Sequence, residues 1–178
     1  MPIRTFENHT PVIDGSAYID PTALVIGQVE IGAESSLWPN VVARGDIHHI
    51  KIGASTNIQD GSVLHVTHDS EFAPGGHPLE IGHAVTVGHM VVLHGCTIED
   101  SCLIGMGSLI LDGARIEAGA MLGAGSLVPP GKVLEGGWLW VGRPAKQVRQ
   151  LTEQETLFLE YSARHYARLK DRHLSGSG

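Results

Sequence analysis

The stretch Ile98–Leu134, IEDSCLIGMGSLILDGARIEAGAMLGAGSLVPPGKVL, places an aliphatic residue at every sixth position: Ile98, Ile104, Ile110, Ile116, Leu122, Val128 and Leu134. Neither the period of an amphipathic helix nor the alternation of a half-buried strand accounts for this spacing. A hexapeptide period is the signature of a parallel β-helix, in which three hexads make one triangular coil of about 18 residues. One aliphatic residue per hexad points inward. Gly, Asn, Asp and small residues take the corners, where bulky side chains would be strained. The beat recurs in three earlier blocks, Val25-Ile31-Leu37, Ile52-Ile58-Leu64 and Ile81-Val87-Leu93. Gly directly follows six of these sixteen residues, at positions 32, 53, 82, 88, 105 and 123, as corners require.

Coils stacked at strand spacing, roughly 4.8 Å, enclose a thin prism with little room for rings. That agrees with 5% aromatic residues and 23 Gly among 178 residues. A sandwich of short strands would instead show alternation and wider turn spacing. The fold predicted is a parallel β-helix with a C-terminal α-helix. The β-helix spans 1–146, the helix 147–174, and a flexible tail 175–178.

Two breaks interrupt the beat. Between Ala43 and Ile52 the step is nine residues, through Arg44-Gly45-Asp46-Ile47-His48-His49; between Leu64 and Ile81 it is 17. The 11 surplus residues of the second step leave the prism as a loop, 66–80, for which Pro74, Gly75, Gly76 and Pro78 are suited. Loops on rigid scaffolds collect function. A one-residue slip falls between Leu93 and Ile98. Thr152 and Glu155 form a capping-box pattern for the terminal helix. Leu151, Leu157, Phe158, Tyr161 and Leu169 approximate one apolar face, expected to pack along the prism or on a partner.

Composition excludes several classes. A net charge of −7 argues against a nucleic-acid partner. No run of apolar residues is long enough to span a membrane. The beginning, MPIRTFENHT, lacks the order of a signal peptide, and two Cys cannot staple a secreted module. A reduced, cytoplasmic location is expected.

Histidine is the informative excess: 11 in all, six of them from His65 to His94. His65 follows inward Leu64 and His94 follows inward Leu93. Their separation of 29 residues, less the 11 of the loop, leaves 18, one full coil. They should therefore stack at the same position on adjacent coils, where two imidazoles can share one metal ion. His89 lies two residues after Val87, on the preceding face, and should not reach the same point within one chain. If all three bind one ion, a symmetric trimer is the simplest arrangement, with His65 and His94 from one subunit and His89 from its neighbour. Three imidazoles with an open fourth position is the pattern of catalytic zinc. The only thiols, Cys96 and Cys102, do not form a CxxC pair.

The segments RGDIHHIKIGASTNIQDGSVLHVTH (44–68), VTVGHMVVLHGC (85–96), GMGSLILDGARI (105–116) and GAGSLVPPGKVLEGGWLWVGRPAK (123–146) carry a resemblance. Over about residues 10–170 the chain resembles the gamma-class carbonic anhydrase-like family of hexapeptide-repeat proteins. The resemblance implies a left-handed parallel β-helix, a homotrimer, and reversible hydration of carbon dioxide to bicarbonate by a metal-bound hydroxide at each subunit interface. It implies His65, His89 and His94 as ligands, with Zn2+ foremost and Fe2+ or Co2+ as alternatives. Gln59 matches a residue that hydrogen-bonds hydroxide or substrate, and Asn57 a second polar residue of that pocket. Arg44, Asp46 and Asp60 match charged residues that hold subunits together and orient the site. Tyr161 is a candidate pocket residue.

Two departures bear on turnover. A position that carries a proton-relaying Glu in the family's active archetype is Ile47 here, and the loop is short, with Asp69 and Glu71 its early acids. His68 is a candidate shuttle, since His titrates nearest neutral pH. The alternatives to hydration are a coenzyme A-dependent acyltransferase or thioesterase, and a catalytically weak structural or assembly metalloprotein.

Overall fold

All sixteen aliphatic residues of the six-residue beat are buried in the computed structural model, which describes residues 2–176. They stack in three columns, each inside one face of a left-handed parallel β-helix of about eight turns. The first face aligns Leu37, Ile58, Val87, Ile104, Leu122 and Trp140. The second aligns Val25, Ala43, Leu64, Leu93, Ile110 and Val128. The third aligns Ile31, Ile52, Ile81, Ile98, Ile116 and Leu134. Every one of these pairings is parallel, so each coil templates the next.

A second inward position lies two residues before the beat residue, filled by Val29, Ile50, Leu79, Val85 and Val91 at some coils and by small side chains at others. Ser62, Cys96, Cys102, Ala114, Ala120 and Ser126 are all buried there. Cys96 and Cys102 are therefore core residues. Burial pushes both thiols up, Cys102 to about 12, so neither is a thiolate near neutral pH. Three residues after the beat residue the chain turns through the left-handed region. From Gly107 to Gly137 six glycines occupy this corner at φ between 66° and 74°. In earlier coils Asn40, Ser55, Ala84, Met90 and Ser101 adopt φ of 54–60° at the same place, a conformation disfavoured for residues with a Cβ.

The two breaks are accommodated differently. Residues 44–49 remain within one long strand, Val42–Ile52, whose register shifts against Gly27 and Val29. The surplus there is absorbed as a bulge. The second break does leave the prism, although more narrowly than the expected 66–80. Val66 and Leu79 are fully buried and Leu79–Ile81 is a strand, so the excursion runs from 67 to 78. Thr67 and His77 pair across its neck, and Ser70 and Ala73 pair near its tip.

Past the last coil, Lys146–Gln150 fold back antiparallel on Trp138–Val141 and cover the open sheet edge. This strand corrects the expected helix start at 147: the helix is Glu153–Ser175. Thr152 and Glu155 form both halves of the capping box. Ser175 ends the helix and the Gly176 N–H caps Arg172 O, so only 177–178 of the expected tail lie outside the described residues. The helix packs on the first face, but not through the apolar stripe the sequence suggested. Leu159, Ser162, Ala163 and Lys170 are buried, whereas Leu157, Phe158 and Tyr161 are half exposed on the outer side. The polar docking side is explained by what it meets: Ser162 Oγ lies 3.0 Å from Thr86 Oγ1, and Lys170 Nζ 2.8 Å from Glu34 Oε2. No helix of the described residues is long and apolar enough to cross a membrane.

The corner geometry gives a stability prediction. Gly125 sits at φ 68° with open space around a Cβ, so Gly125→Ala tests backbone strain alone. It should destabilise by about 1–2 kcal/mol, and Ala84→Gly should raise the thermal midpoint. Denaturation of both variants beside the parent checks the pair.

Candidate metal centre

The second face carries His65 and His94 at its far edge. Strands Val63–His65 and Val92–His94 pair residue for residue, and His94 aligns with His65. Their ring centroids are 5.0 Å apart, and His65 Nδ1 lies 3.0 Å from His94 Nε2. The outer nitrogen of each ring meets a carboxylate: His65 Nε2 is 3.2 Å from Asp46 Oδ1, and His94 Nδ1 is 2.5 Å from Asp112 Oδ1. Arg44 Nη1 donates to Asp46 Oδ2 at 2.6 Å, and Thr67 Oγ1 donates to Asp112 Oδ2 at 2.7 Å.

Electrostatics follows from these contacts. Burial raises Asp46, but hydrogen bonds from Arg44 and His65 outweigh it and hold the carboxyl below its ordinary value. Asp112 is likewise held low, burial being outweighed by His94 and Thr67. Burial, with Arg44 and His94 nearby, lowers His65 against the pull of Asp46. Ionised carboxylates only accept, so the ring nitrogens facing them carry the protons. The remaining nitrogens, His65 Nδ1 and His94 Nε2, face each other across 3.0 Å. A proton or a metal ion can be shared between them. Two zinc–nitrogen bonds of about 2.0–2.1 Å meeting at a tetrahedral angle span about 3.3 Å, so the pair fits a metal after a small separation.

The other candidates gather at the opposite edge of the same face. His89 lies in the corner before Val92–His94, and its Nδ1 is 2.9 Å from Asp60 Oδ2, one coil away. His89 sits in the corner with Met90 and His94 ends the strand Val92–His94, so the length of the face separates them. Accordingly, no group of three or more His, Cys, Asp or Glu among the described residues can hold a metal ion within the protomer. Gln59 and Asn57 belong to the His89 edge. Gln59 Nε2 donates to Asn57 Oδ1 at 3.1 Å, and Asn57 Nδ2 donates to Thr86 Oγ1 at 3.0 Å, beneath Ser162 of the helix. Both amides are nearly fully buried. The site residues thus fall into two half-sites: Arg44, Asp46, His65, His94 and Asp112 on one edge, and Asn57, Gln59, Asp60 and His89 on the other.

Between the edges, the outward side chains of this face are apolar: Leu24, Val42, Val63, Val92, Leu109 and Leu127, none of them buried. The third face instead presents Glu30, Lys51, Glu80 and Arg115. A cavity of about 780 Å³ runs along that third face past Gly32, Gly53 and Gly82 and touches none of the candidate residues. His68 is exposed on the loop, and among the described residues nothing ties it to His65. Tyr161 stacks on His165 on the outer side of the helix, away from its own prism. Ile47 is exposed. Sequence reasoning missed Asp112. The available signal was its position, 18 residues after His94, with Gly95 and Gly113 leaving space beside it.

No family model matches the chain. It is 52% identical over 172 residues to Protein YrdA of Escherichia coli (strain K12), covering 97% of this chain and 94% of that one. It is 46% identical over 164 residues to the carbonic anhydrase of Geobacillus kaustophilus, covering 92% and 86%. To the mitochondrial gamma carbonic anhydrase 1 of Arabidopsis thaliana it is 44% identical over 163 residues, 92% of this chain and 59% of that protein. Among solved structures, a hexapeptide transferase family protein from Anaplasma phagocytophilum superposes with a TM-score of 0.87 at 41% identity, covering 95% and 96%. The fold class is that of the hexapeptide-repeat proteins. Within it, the chain belongs to the gamma-class carbonic anhydrase-like family.

The buried polar chain yields a prediction. Thr86→Val removes an acceptor of the Asn57 Nδ2 group and the partner of Ser162, leaving that Nδ2 with Val85 O, 3.3 Å away. A buried donor losing its partner costs about 1–3 kcal/mol, to be read from denaturant unfolding, whereas Thr97→Val on the third face should be neutral.

Proposed function

We propose that the protein is a metal-dependent carbonic anhydrase-like enzyme, interconverting carbon dioxide and bicarbonate at a site shared between subunits of a homotrimer. The observation that carries this reading is the placement of two half-sites at opposite edges of one outwardly apolar face. In a three-fold ring, a heterologous contact sets one edge of each subunit against the opposite edge of the next, and the ring closes after three. His65 and His94 then meet His89 of the partner subunit. This set of three imidazoles suits zinc foremost, with ferrous iron or cobalt as alternatives, and leaves a position open. A bound ion supplies Lewis acidity that brings the pKa of water to about 7.

The chain's own residues do the rest. Asp46, held by Arg44, fixes the His65 ring and its proton at Nε2. Asp60 does the same at His89 Nδ1. Gln59, anchored through Asn57 and Thr86, brings a carboxamide to the His89 edge, where it can orient carbon dioxide or bicarbonate without adding charge. The outward Val63 and Val92 line the face and keep the closed interface dry. Proton export is the weak step. Ile47 cannot carry a proton, and His68 on the exposed loop is the shuttle in this scheme. Catalysis should therefore depend on buffer.

Acyl transfer with coenzyme A is a second reading, favoured by the transferase family name of the solved neighbour at 41% identity. The paired histidines and aspartates favour hydration, and a metalloprotein without turnover is the third outcome. Subunit mixing with oxygen-18 exchange between carbon dioxide and water tests all three. His65→Ala and His89→Ala should each lose metal and exchange. An equal mixture, refolded together, should restore about a quarter of the sites, because a site is intact only where the two halves come from different variants. No recovery overturns the shared site. Metal with no exchange in the parent overturns hydration in favour of an assembly role, and thioester cleavage indifferent to chelator supports the acyl reading.

A further inference from the structure

We infer that Asp112 is a positioning residue for the metal centre, clamping the His94 imidazole in one tautomer and one orientation and coupling it to the neck of the 67–78 loop. The inference rests on the reading of His94 as a metal ligand and deepens it. Four observations converge on Asp112. Its Oδ1 takes the proton-bearing Nδ1 of His94 at 2.5 Å, which leaves Nε2, the nitrogen that faces His65, as the donor to a metal. Its Oδ2 is held by the Thr67 hydroxyl at 2.7 Å, so the carboxylate cannot rotate away.

Thr67 is itself fixed. Its N–H donates to His77 O at 3.0 Å and its carbonyl accepts from the His77 N–H at 2.8 Å, which closes the loop neck. The fourth observation is the space the chain leaves. Gly95 follows His94 at φ 54°, and a Cβ there would lie 2.6 Å from Asp112 Oδ1 and 2.7 Å from His77 Cβ. A side chain at 95 would drive the carboxylate off the imidazole. The sequence thus keeps a glycine where the aspartate and the loop neck both approach.

The chemistry is that of a carboxylate–histidine–metal relay. An imidazole whose distal N–H is bound to a carboxylate is locked in orientation and is a stronger base toward the ion, and losing such a partner weakens metal binding by about 10–100-fold. His65 and His89 have the same arrangement with Asp46 and Asp60, so the assignment gives each of the three histidines its own aspartate.

The experiment uses the full-length protein. Zinc affinity is measured by chelator competition, and the His94 tautomer by 15N imidazole shifts in the metal-free protein, for the parent, Asp112→Ala, Asp112→Asn, Thr67→Val, Gly95→Ala and His94→Ala. Asp112→Ala should weaken zinc binding about 10–100-fold and release His94 from the Nδ1–H tautomer. Asp112→Asn keeps one acceptor and should lose less. Thr67→Val should shift both readouts in the same direction by a smaller amount. Gly95→Ala should weaken binding although Asp112 is still present. Should Asp112→Ala fail to fold, the Asn and Thr67 variants carry the test. His94→Ala losing affinity while the Asp112, Thr67 and Gly95 variants retain both affinity and tautomer would overturn the positioning role alone. His94→Ala binding zinc like the parent would instead overturn the metal reading beneath it. A purely structural Asp112 would lower the thermal midpoint and leave the His94 tautomer unmoved, which would also overturn the inference.

Discussion

The width of a coil face is the constraint on which the rest depends. One inward aliphatic residue every six residues, stacked parallel from coil to coil, makes each face one short strand between two corners. A side chain at one corner and a side chain at the end of the same strand are then held a full face apart by a rigid scaffold. His89 and His94 stand in that relation, and so do Asp60 and His65. No rotamer change brings them together, so any chemistry that needs all of them needs a second copy of the chain. The same scaffold fixes what lies close. Register pairing places His94 directly on His65, one strand spacing away.

Charge completes what stacking begins. Two imidazole nitrogens at 3.0 Å can share one proton or one metal ion, and the aspartates behind them bind the other ring nitrogens. Arg44 and Thr67 in turn hold those aspartates ionised and aimed. The apolar outward column of the second face and the charged column of the third give the prism one surface suited to burial and one suited to water.

Much of this was legible in the sequence because the repeat converts residue number into position. The inward ladder, the stacked His65 and His94, and the separation of His89 all follow from counting in hexads once the 11-residue surplus is removed. What counting could not supply lies where the chain departs from the repeat or where side chains choose between surfaces. The strand 146–150 forms because the last coil has an open edge, which no periodicity announces. Periodicity left open whether the apolar stripe of the helix packs on the prism or on a partner. The sequence stripe Leu157, Phe158 and Tyr161 is apolar, yet the first face offers Thr86, Asn57 and Glu34, and Ser162 and Lys170 answer those groups instead. Asp112 escaped notice because its partner is one coil away and the one-residue slip after Leu93 sets it just past His94 in register.

The most direct test of the shared centre is a crystal structure of the zinc-loaded protein with anomalous data collected at the zinc edge. The account predicts one anomalous peak per chain, contacted by His65 and His94 of one subunit and His89 of the partner subunit. A peak held by His65 and His94 with His89 remote from it, or no peak at this pair in zinc-loaded crystals, would contradict it.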